Sequence, residues 1–340
     1  MYALPVDDLD FIYSKAKHFW PKNKNILLTG ATGFFGKWLV ESIHLLEKKT
    51  ESNNKYIILS RQKSKDLKKK ISILDDKIFL IQTVDLCQSF ELSYKIDFVI
   101  HAASDVSGLK NNREKNYSLI YKMTQNLIES LANNNFNQSL EKFLYVSSGG
   151  VYSPDTNPSA ESDLKLIFEN DINDYGSAKR QSEIEILKIK NSCIARCFSF
   201  VGPYADMSMV SMDMLIKKSQ NQNLELRSPS VVRSFMYPTD LMISLFKLLF
   251  QKNEHQIYNI GSNKPVSLLQ LAEKINELDP KKSVQIKILQ EPVIQVSLAG
   301  KYYCPNTDRF DQEYGPAQHT DLKTSLAKTL NFINQKGKKI

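Results

Sequence analysis

Up to Phe198 the chain is punctuated by six short apolar runs: NILLT at 25–29, YIILS at 56–60, IFLIQ at 78–82, DFVIHA at 97–102, KFLYVS at 142–147 and CIARCF at 193–198. The runs are continuous rather than alternating, the pattern of strands covered on both faces in a parallel sheet. Helical spacing predicts longer segments between them, at 35–48, 112–134 and 174–190. Strand and helix in alternation predict an α/β chain with a doubly wound parallel sheet and right-handed crossovers. After Phe198 the rhythm breaks into proline-containing loops, with helices expected near 208–220, 239–250, 267–278 and 321–334. The expected division is a helical extension at 1–22, a sheet domain at 23–198 and a smaller lobe at 199–340, with 239–262 returning to the sheet domain. In the extension, Asp7 or Asp8 is expected to cap a helix that buries Phe11, Ile12 and Phe19.

Composition changes this picture little. A chain of 340 residues, 42% hydrophobic and 24% charged, is that of an ordinary globular protein with one large α/β domain or two units sharing a core. The most apolar helix candidate, LMISLFKLLF at 241–250, is shorter than the ~20 residues of a membrane span and carries Lys247. The acidic start, MYALPVDDLD, has neither the basic end nor the apolar core of a signal peptide, so a cytoplasmic protein without a membrane partner is expected. Cys193 and Cys197 lie four apart on one strand and hence on one face. With no CxxC spacing among the four cysteines, buried free thiols and no metal site are expected.

The net charge of +8 gathers in RQKSKDLKKK at 61–70 and QKGKKI at 335–340, with no interleaved aromatics to stack bases. No nucleic-acid partner is expected, whereas an anionic small molecule fits the balance.

Candidate chemistry begins where the first strand ends. LLTGATGFFGKWLVESI spaces Gly30, Gly33 and Gly36 as GxxGxxG between a strand and a helix. Such a turn lets backbone approach a pyrophosphate, and the helix N-terminus offers free N–H groups and a favourable dipole. The second strand ends Leu59-Ser60-Arg61 with no acid before Asp66. A hydroxyl beside a guanidinium suits a 2′-phosphate, so NADP is preferred, with NAD as the alternative. Asp85, after the third strand, is placed to accept from the adenine amino group.

DYGSAKR sets Tyr175 and Lys179 four apart at a helix start, hence on one face. A phenol near pKa 10 becomes a useful acid or base at neutral pH beside an ammonium on the same face and the positive nicotinamide of an oxidised cofactor. A hydroxyl 27 residues upstream, at the end of the fifth strand, can bind the same reacting oxygen.

Taken together, TGATGFFG (29–36), VDL (84–86), HAAS (101–104), YVSSGGVY (145–152), YGSAK (175–179), RCFSFVGP (196–203), RSFMYPTD (233–240) and YNIGS (258–262) resemble the extended short-chain dehydrogenase/reductase family, in its nucleotide-sugar epimerase/dehydratase branch. The resemblance runs from about Asn25 to the C-terminus and implies a Rossmann-type sheet with a C-terminal substrate-binding lobe. It implies Ser148, Tyr175 and Lys179 as catalytic residues, Lys179 also binding the nicotinamide ribose. Phe34 and Phe35 would lie along the pyrophosphate, Leu86 beside Asp85 at the cofactor, and Ala102 and Ala103 beside the ribose. Ser104, Ser148, Gly149, Ser199, Arg233 and Arg309 are the substrate-side positions, with Arg233 on the diphosphate and Arg309 a second cation. His101 is expected to pack at a strand end rather than to react. Two positions depart from the family pattern: Ser199 stands where Asn is usual, and Met123-Thr124 where Gly-Thr is usual. A homodimer through the helices near 112–134 and 174–190 is also implied.

Relatives that eliminate water carry an Asp-Glu pair directly after the catalytic hydroxyl, and decarboxylating ones keep a Glu there. Here the two positions are Gly149 and Gly150, which supply neither acid nor base. Dehydration and decarboxylation are therefore disfavoured. Reduction of a 4-keto sugar nucleotide by NADPH is the leading expectation, with C4 epimerisation using a recycled cofactor as the alternative. A non-catalytic dinucleotide sensor and a reductase of hydroxysteroid-like ketones are weaker readings. An intact Ser–Tyr–Lys set argues against the first and Arg233 against the second.

Overall fold

A computed structural model of the chain describes residues 2–104, 113–133, 140–153, 158–163, 175–289 and 301–337. Residues 112, 134 and 174 of the expected helices, and the last three of the basic tail, lie outside the described residues. In chain order the elements are α1 (Val6–Ala16), β1 (Asn25–Thr29), α2 (Phe34–Thr50), β2 (Lys55–Ser60), α3 (Ser64–Lys70), β3 (Phe79–Thr83), β4 (Phe98–His101), α4 (Arg113–Asn133), β5 (Lys142–Ser148), α5 (Tyr175–Leu187) and β6 (Ser192–Cys197). There follow α6 (Val210–Ser219), β7 (Leu224–Leu226), β8 (Val232–Arg233), α7 (Pro238–Phe250), β9 (Ile257–Ile260), β10 (Val266–Ser267), α8 (Leu268–Asn276), β11 (Ile286–Ile288), β12 (Tyr302–Tyr303), α9 (Asp308–Tyr314) and α10 (Leu322–Gly337). All six apolar runs are strands.

The chain divides into two compact units, the first comprising 1–151, 166–196 and 242–258. Its framework is the seven-stranded sheet in the order β3-β2-β1-β4-β5-β6-β9. β1 pairs in parallel with both β2 and β4, so strand order reverses between β1 and β4. In doubly wound sheets, ligands bind outside the carboxyl ends of the strands at such a reversal. Leu27, Ile57, Val99, Phe143 and Ile194 belong to one buried core, which is why the runs are apolar without alternation. The cysteines are free thiols; Cys193, Cys197 and Cys304 are buried and Cys87 is half-buried. Among the described residues no helix is long and apolar enough to cross a membrane.

Residues 2–22 lie within the first unit, held by two carboxylates of α2. Glu41 accepts from the backbone N–H groups of Ala3 and Leu4, at 2.9 Å each. Glu47 accepts from Trp20 Nε1 (2.8 Å), Tyr56 Oη (2.9 Å), Ser52 Oγ (2.8 Å) and Asn54 Nδ2 (2.8 Å). These donors satisfy an acid that burial would otherwise penalise. Neither Asp7 nor Asp8 caps α1, contrary to expectation. Pro5 is the N-cap, and the two acids sit in the first turn, where they favour the helix dipole. The buried stripe is Leu9, Ile12 and Ala16, while Phe11 and Phe19 are only half-buried. The aromatic anchor is instead Trp20, edge-on against Phe246 and Phe250 of α7 at 5.0 Å.

A polar layer crosses the same core at the end of β4. His101 is fully buried, with Nδ1 2.8 Å from Thr29 Oγ1 and Nε2 3.0 Å from Thr124 Oγ1. Thr29 Oγ1 accepts from the Ala103 N–H, and Thr124 Oγ1 donates to the Ile120 carbonyl. Proton counting then assigns the ring proton to Nε2, with Thr29 donating to Nδ1. Burial, with Lys179 nearby, holds the imidazole neutral with a pKa of about 3. The ring also stacks on Tyr145 at 5.4 Å.

The second unit comprises 152–165, 197–241 and 259–340. It contains the three-stranded sheet β10-β8-β12, the pair β11-β7, and helices α6, α8, α9 and α10. Lys218 of α6 donates to the carbonyls of Asn276 and Lys282 at 3.0 and 2.8 Å, and to Asn276 Oδ1 at 2.9 Å. One ammonium thereby ties the last carbonyl of α8 to that of Lys282 in the turn beyond it.

Two predictions concern stability. Trp20→Ala removes both the aromatic packing and a donor to Glu47, and lowers unfolding free energy in urea by about 3–5 kcal/mol; an unchanged midpoint shows that the extension is not anchored there. Because the His101 pKa is lowered in the folded state, the unfolded chain takes up this proton first as pH falls below 6.5. Wild type therefore loses up to ~1.4 kcal/mol per pH unit towards about pH 4 that a His101→Asn variant does not lose; parallel stability–pH curves contradict the assignment.

Candidate active site

The turn after β1 is built by close backbone approach. Gly30 has φ +78°, and a Cβ there would lie 2.7–2.8 Å from the carbonyl of Ala102 and the nitrogen of Ala103. A Cβ on Gly36 would lie 2.2 Å from the Gly30 carbonyl oxygen. Glycine is thus required at position 30 for its conformation and its approach to the end of β4, and at position 36 for contact between α2 and the turn. Gly33 is the N-cap of α2 and has no side chain to claim the first-turn N–H groups.

Beside this turn opens a cavity of about 540 Å³, whose walls include Gly30, Gly33, Ser60, Arg61, Asp85 and Leu86. Ala102, Ala103 and Ser104 close the β4 side. The lining comes from the carboxyl ends of β1, β2, β3 and β4, the reversal point of the sheet. Phe34, Phe35 and Gly36 stand in the first turn of α2 and are not among the walls. Two wall residues hold buried polar atoms without a partner among the described residues, Gln62 Oε1 and Ser104 Oγ. Unpaired buried acceptors, a glycine cradle and an uncapped helix start fit the adenosine and pyrophosphate of a dinucleotide.

At the end of β2, Ser60 Oγ accepts from the Gln62 N–H at 3.1 Å, and Arg61 is exposed at the cavity wall. Asp85 Oδ1 accepts from the Cys87 N–H at 3.0 Å, closing its own turn. Burial and the adjacent Asp85 push the Cys87 thiol pKa up. Gln62, Cys87, Leu119 and Met123 line the cavity without having been singled out as cofactor contacts. The i,i+4 spacing of Leu119 and Met123 on α4 was the available signal for that wall.

The hydroxyl, phenol and ammonium come from β5 and α5. β5 ends at Ser148, and a single 3₁₀ turn, Gly149–Val151, follows. The Gly150 N–H donates to Ser148 Oγ at 3.0 Å. That bond occupies a lone pair and leaves the hydroxyl proton for another acceptor. Tyr175 opens α5, and the buried Lys179 lies one turn further on. Lys179 Nζ is 5.9 Å from the Tyr175 ring centroid and 4.8 Å from that of Tyr145, and donates to the Val146 carbonyl at 2.9 Å. A Cβ at Gly150 would sit 3.3 Å from Ser148 Oγ and 3.8 Å from Tyr175 Cδ1. The structure therefore brings Ser148, Tyr175 and Lys179 together around a point where Gly150 carries no side chain.

The remaining positions belong to the second unit. Ser199 is half-buried, and its carbonyl accepts from the Met236 N–H at 3.1 Å. Arg233, at the end of β8, is half-buried with its guanidinium 5.8 Å from the Tyr303 ring centroid, and its Nη1 donates to the Val232 carbonyl. Burial lowers the Arg233 pKa from its ordinary value. Arg309 lies half-buried in α9.

Residues 26–261 match the NAD dependent epimerase/dehydratase family. Among curated relatives, dTDP-D-glucose 4,6-dehydratase of Bos taurus is 24% identical over 75% of this chain and 73% of its own length. UDP-N-acetyl-alpha-D-glucosaminuronate decarboxylase of Bacillus cytotoxicus is 24% identical over 83% and 88%. Among solved structures, UDP-glucose 4-epimerase of Thermotoga maritima, crystallised with UDP-glucose, superposes with a TM-score of 0.72 at 16% identity, covering 92% of this chain and 99% of its own. UDP-glucuronic acid 4-epimerase of Bacillus cereus, with UDP-glucuronic acid and NAD, gives 0.72 at 18% identity, over 92% and 99%. At such identity the superpositions show the fold alone. The named reactions include dehydration and decarboxylation alongside epimerisation, so likeness selects no single reaction. The family match spans most of the chain and the strands that form the cavity: this protein belongs to the NAD dependent epimerase/dehydratase family of enzymes.

Proposed function

We propose that the protein reduces a 4-keto sugar nucleotide by hydride transfer, with Tyr175 as the proton donor. The observation that carries this reading is the meeting of Ser148 and Tyr175 at Gly150, with glycines where elimination would need an acid and a base. Ser148, already accepting from Gly150, donates to the keto oxygen. Tyr175 delivers its proton to that oxygen as negative charge develops there, and the Lys179 ammonium stabilises the resulting phenolate. Dehydration and decarboxylation are disfavoured, because neither Gly149 nor Gly150 can take or give a proton. Arg233 is assigned to the substrate diphosphate, whose geometry a guanidinium matches, with Ser199 and Arg309 on the same substrate. Ser104 and Gly149 complete the sugar side.

A nicotinamide dinucleotide bound in the cavity of the first unit supplies the hydride. Gly30, Gly33, Phe34, Phe35 and Gly36 are assigned to its pyrophosphate, Ala102, Ala103 and Lys179 to the nicotinamide half, and Asp85 and Leu86 to the adenine. Ser60 and Arg61 favour NADP, since the β2 end carries a cation and no carboxylate. One observation favours a second reading, C4 epimerisation with recycled NAD. The unpaired Gln62 Oε1 in the same wall is an acceptor suited to a ribose 2′-hydroxyl. Association of two copies through α4 and α5 belongs to the same proposal.

A panel of 4-keto and 4-hydroxy nucleoside-diphosphate hexoses, followed by NADPH absorbance and product chromatography, separates the readings. Loss of absorbance with a keto sugar supports reduction. Interconversion without cofactor consumption supports epimerisation, and a 4-keto-6-deoxy product from a 4-hydroxy donor removes the argument from the two glycines. Tyr175→Phe lowers kcat by at least about a hundredfold while dinucleotide affinity holds; full activity takes Tyr175 out of the chemistry. Arg61→Ala raises the Kd for NADPH by about tenfold or more and leaves NADH nearly unaffected. Equal losses for the two cofactors end the 2′-phosphate assignment.

A further inference from the structure

A buried carboxylate lies beneath the catalytic pair and belongs to none of the roles above. Glu183 stands on α5, four residues after Lys179 and eight after Tyr175, and therefore on their face of the helix. Its side chain is fully buried and reaches two strands at once. Oε1 accepts from Ser147 Oγ on β5 at 2.6 Å and from Arg196 Nε on β6 at 3.0 Å. Oε2 accepts from Arg196 Nη2 at 2.7 Å and from Arg180 Nη1 at 3.2 Å. Arg196 is also buried, so the pair forms a two-point, charge-assisted fork in the core.

A buried ion pair is weak evidence for stability, since apolar residues of equal volume hold a helix on a sheet at least as well. Apolar contact fixes distance but leaves sliding and rotation soft, whereas paired directional bonds fix register. Two such bonds join the end of β5 to α5. The Val146 carbonyl accepts from Lys179, and the next residue, Ser147, donates to Glu183. Ser148 follows immediately. Under the proposed reaction, on which this inference rests, Lys179 is committed to the cofactor and the phenol. The Ser147–Glu183 bond is then the tie with no other task, and beside the Lys179–Val146 bond it keeps the serine strand in register with the tyrosine helix.

We propose that Glu183, held by Arg196 and acting through Ser147, is a positioning residue that sets Ser148 against Tyr175. The probe is Ser147→Ala, because replacing Glu183 takes the buried Arg196 charge from the carboxylate that balances it and threatens the fold itself. With the sugar nucleotide consumed in the panel above, Ser147→Ala lowers kcat by about ten- to a hundredfold with KM and NADPH affinity unchanged. In a Ser148→Ala background the same substitution causes no further loss, because the hydroxyl it positions is already gone. An unchanged kcat, or an equal additional loss in the Ser148→Ala background, overturns the proposal. If wild type consumes no member of the panel, the proposed reaction fails on that result alone. The crystal structure of Ser147→Ala then decides the positioning role: Ser148 displaced from Tyr175 sustains it, and Ser148 in place refutes it.

Discussion

The first unit depends on one close approach, that of the turn after β1 to the end of β4. Gly30 lies so near Ala102 and Ala103 that no side chain fits between them, and the Ala103 N–H is held by Thr29 one residue earlier. Strand order reverses between these two strands, so their separation sets the floor of the cavity. His101 braces the contact from inside, bonded to Thr29 and Thr124 as a neutral ring. A charged imidazole there would lose its hydration and face the Lys179 ammonium. The glycine turn is thus a consequence of backbone fit, with a hydroxyl–imidazole–hydroxyl strut beneath it.

The second organising relation is between β5 and α5, which carry the hydroxyl, phenol and ammonium. Their chemistry is spread along a few residues of each element, so modest sliding of one past the other would separate them. Polar rungs inside a packed core restrict that sliding at the cost of desolvating charge. Gly150 plays the complementary part by leaving space where the two elements converge.

The central sheet was legible because parallel strands buried on both faces leave continuous apolar runs, and all six such runs became strands. The glycine turn after β1 was legible because both of its tightest contacts demand glycine. Capping by Asp7 or Asp8 was not, because Pro5 sets the entry to α1 by its own backbone geometry. Trp20 went unnoticed as an anchor because its partners lie on α7, more than two hundred residues away in sequence. The strands of the second unit span two or three residues each, too few for any periodicity to show. Within the site, Gln62 and Cys87 escaped notice because a cavity wall is made by packing rather than by motif. Glu183 was hidden for a different reason: a helical Glu reads as a solvated residue until its strand partners are known.

The bond from Gly150 to Ser148 gives the site a directional character. With one lone pair engaged, the serine presents its proton outward and meets any oxygen that has electrons to share. A ketone and the alkoxide formed from it both qualify. Under the proposed reaction the hydroxyl is therefore indifferent to whether the carbon is gaining or losing hydride, and reads only the position of the oxygen. In the proposed reaction, direction would then be imposed elsewhere, by the redox state of the dinucleotide.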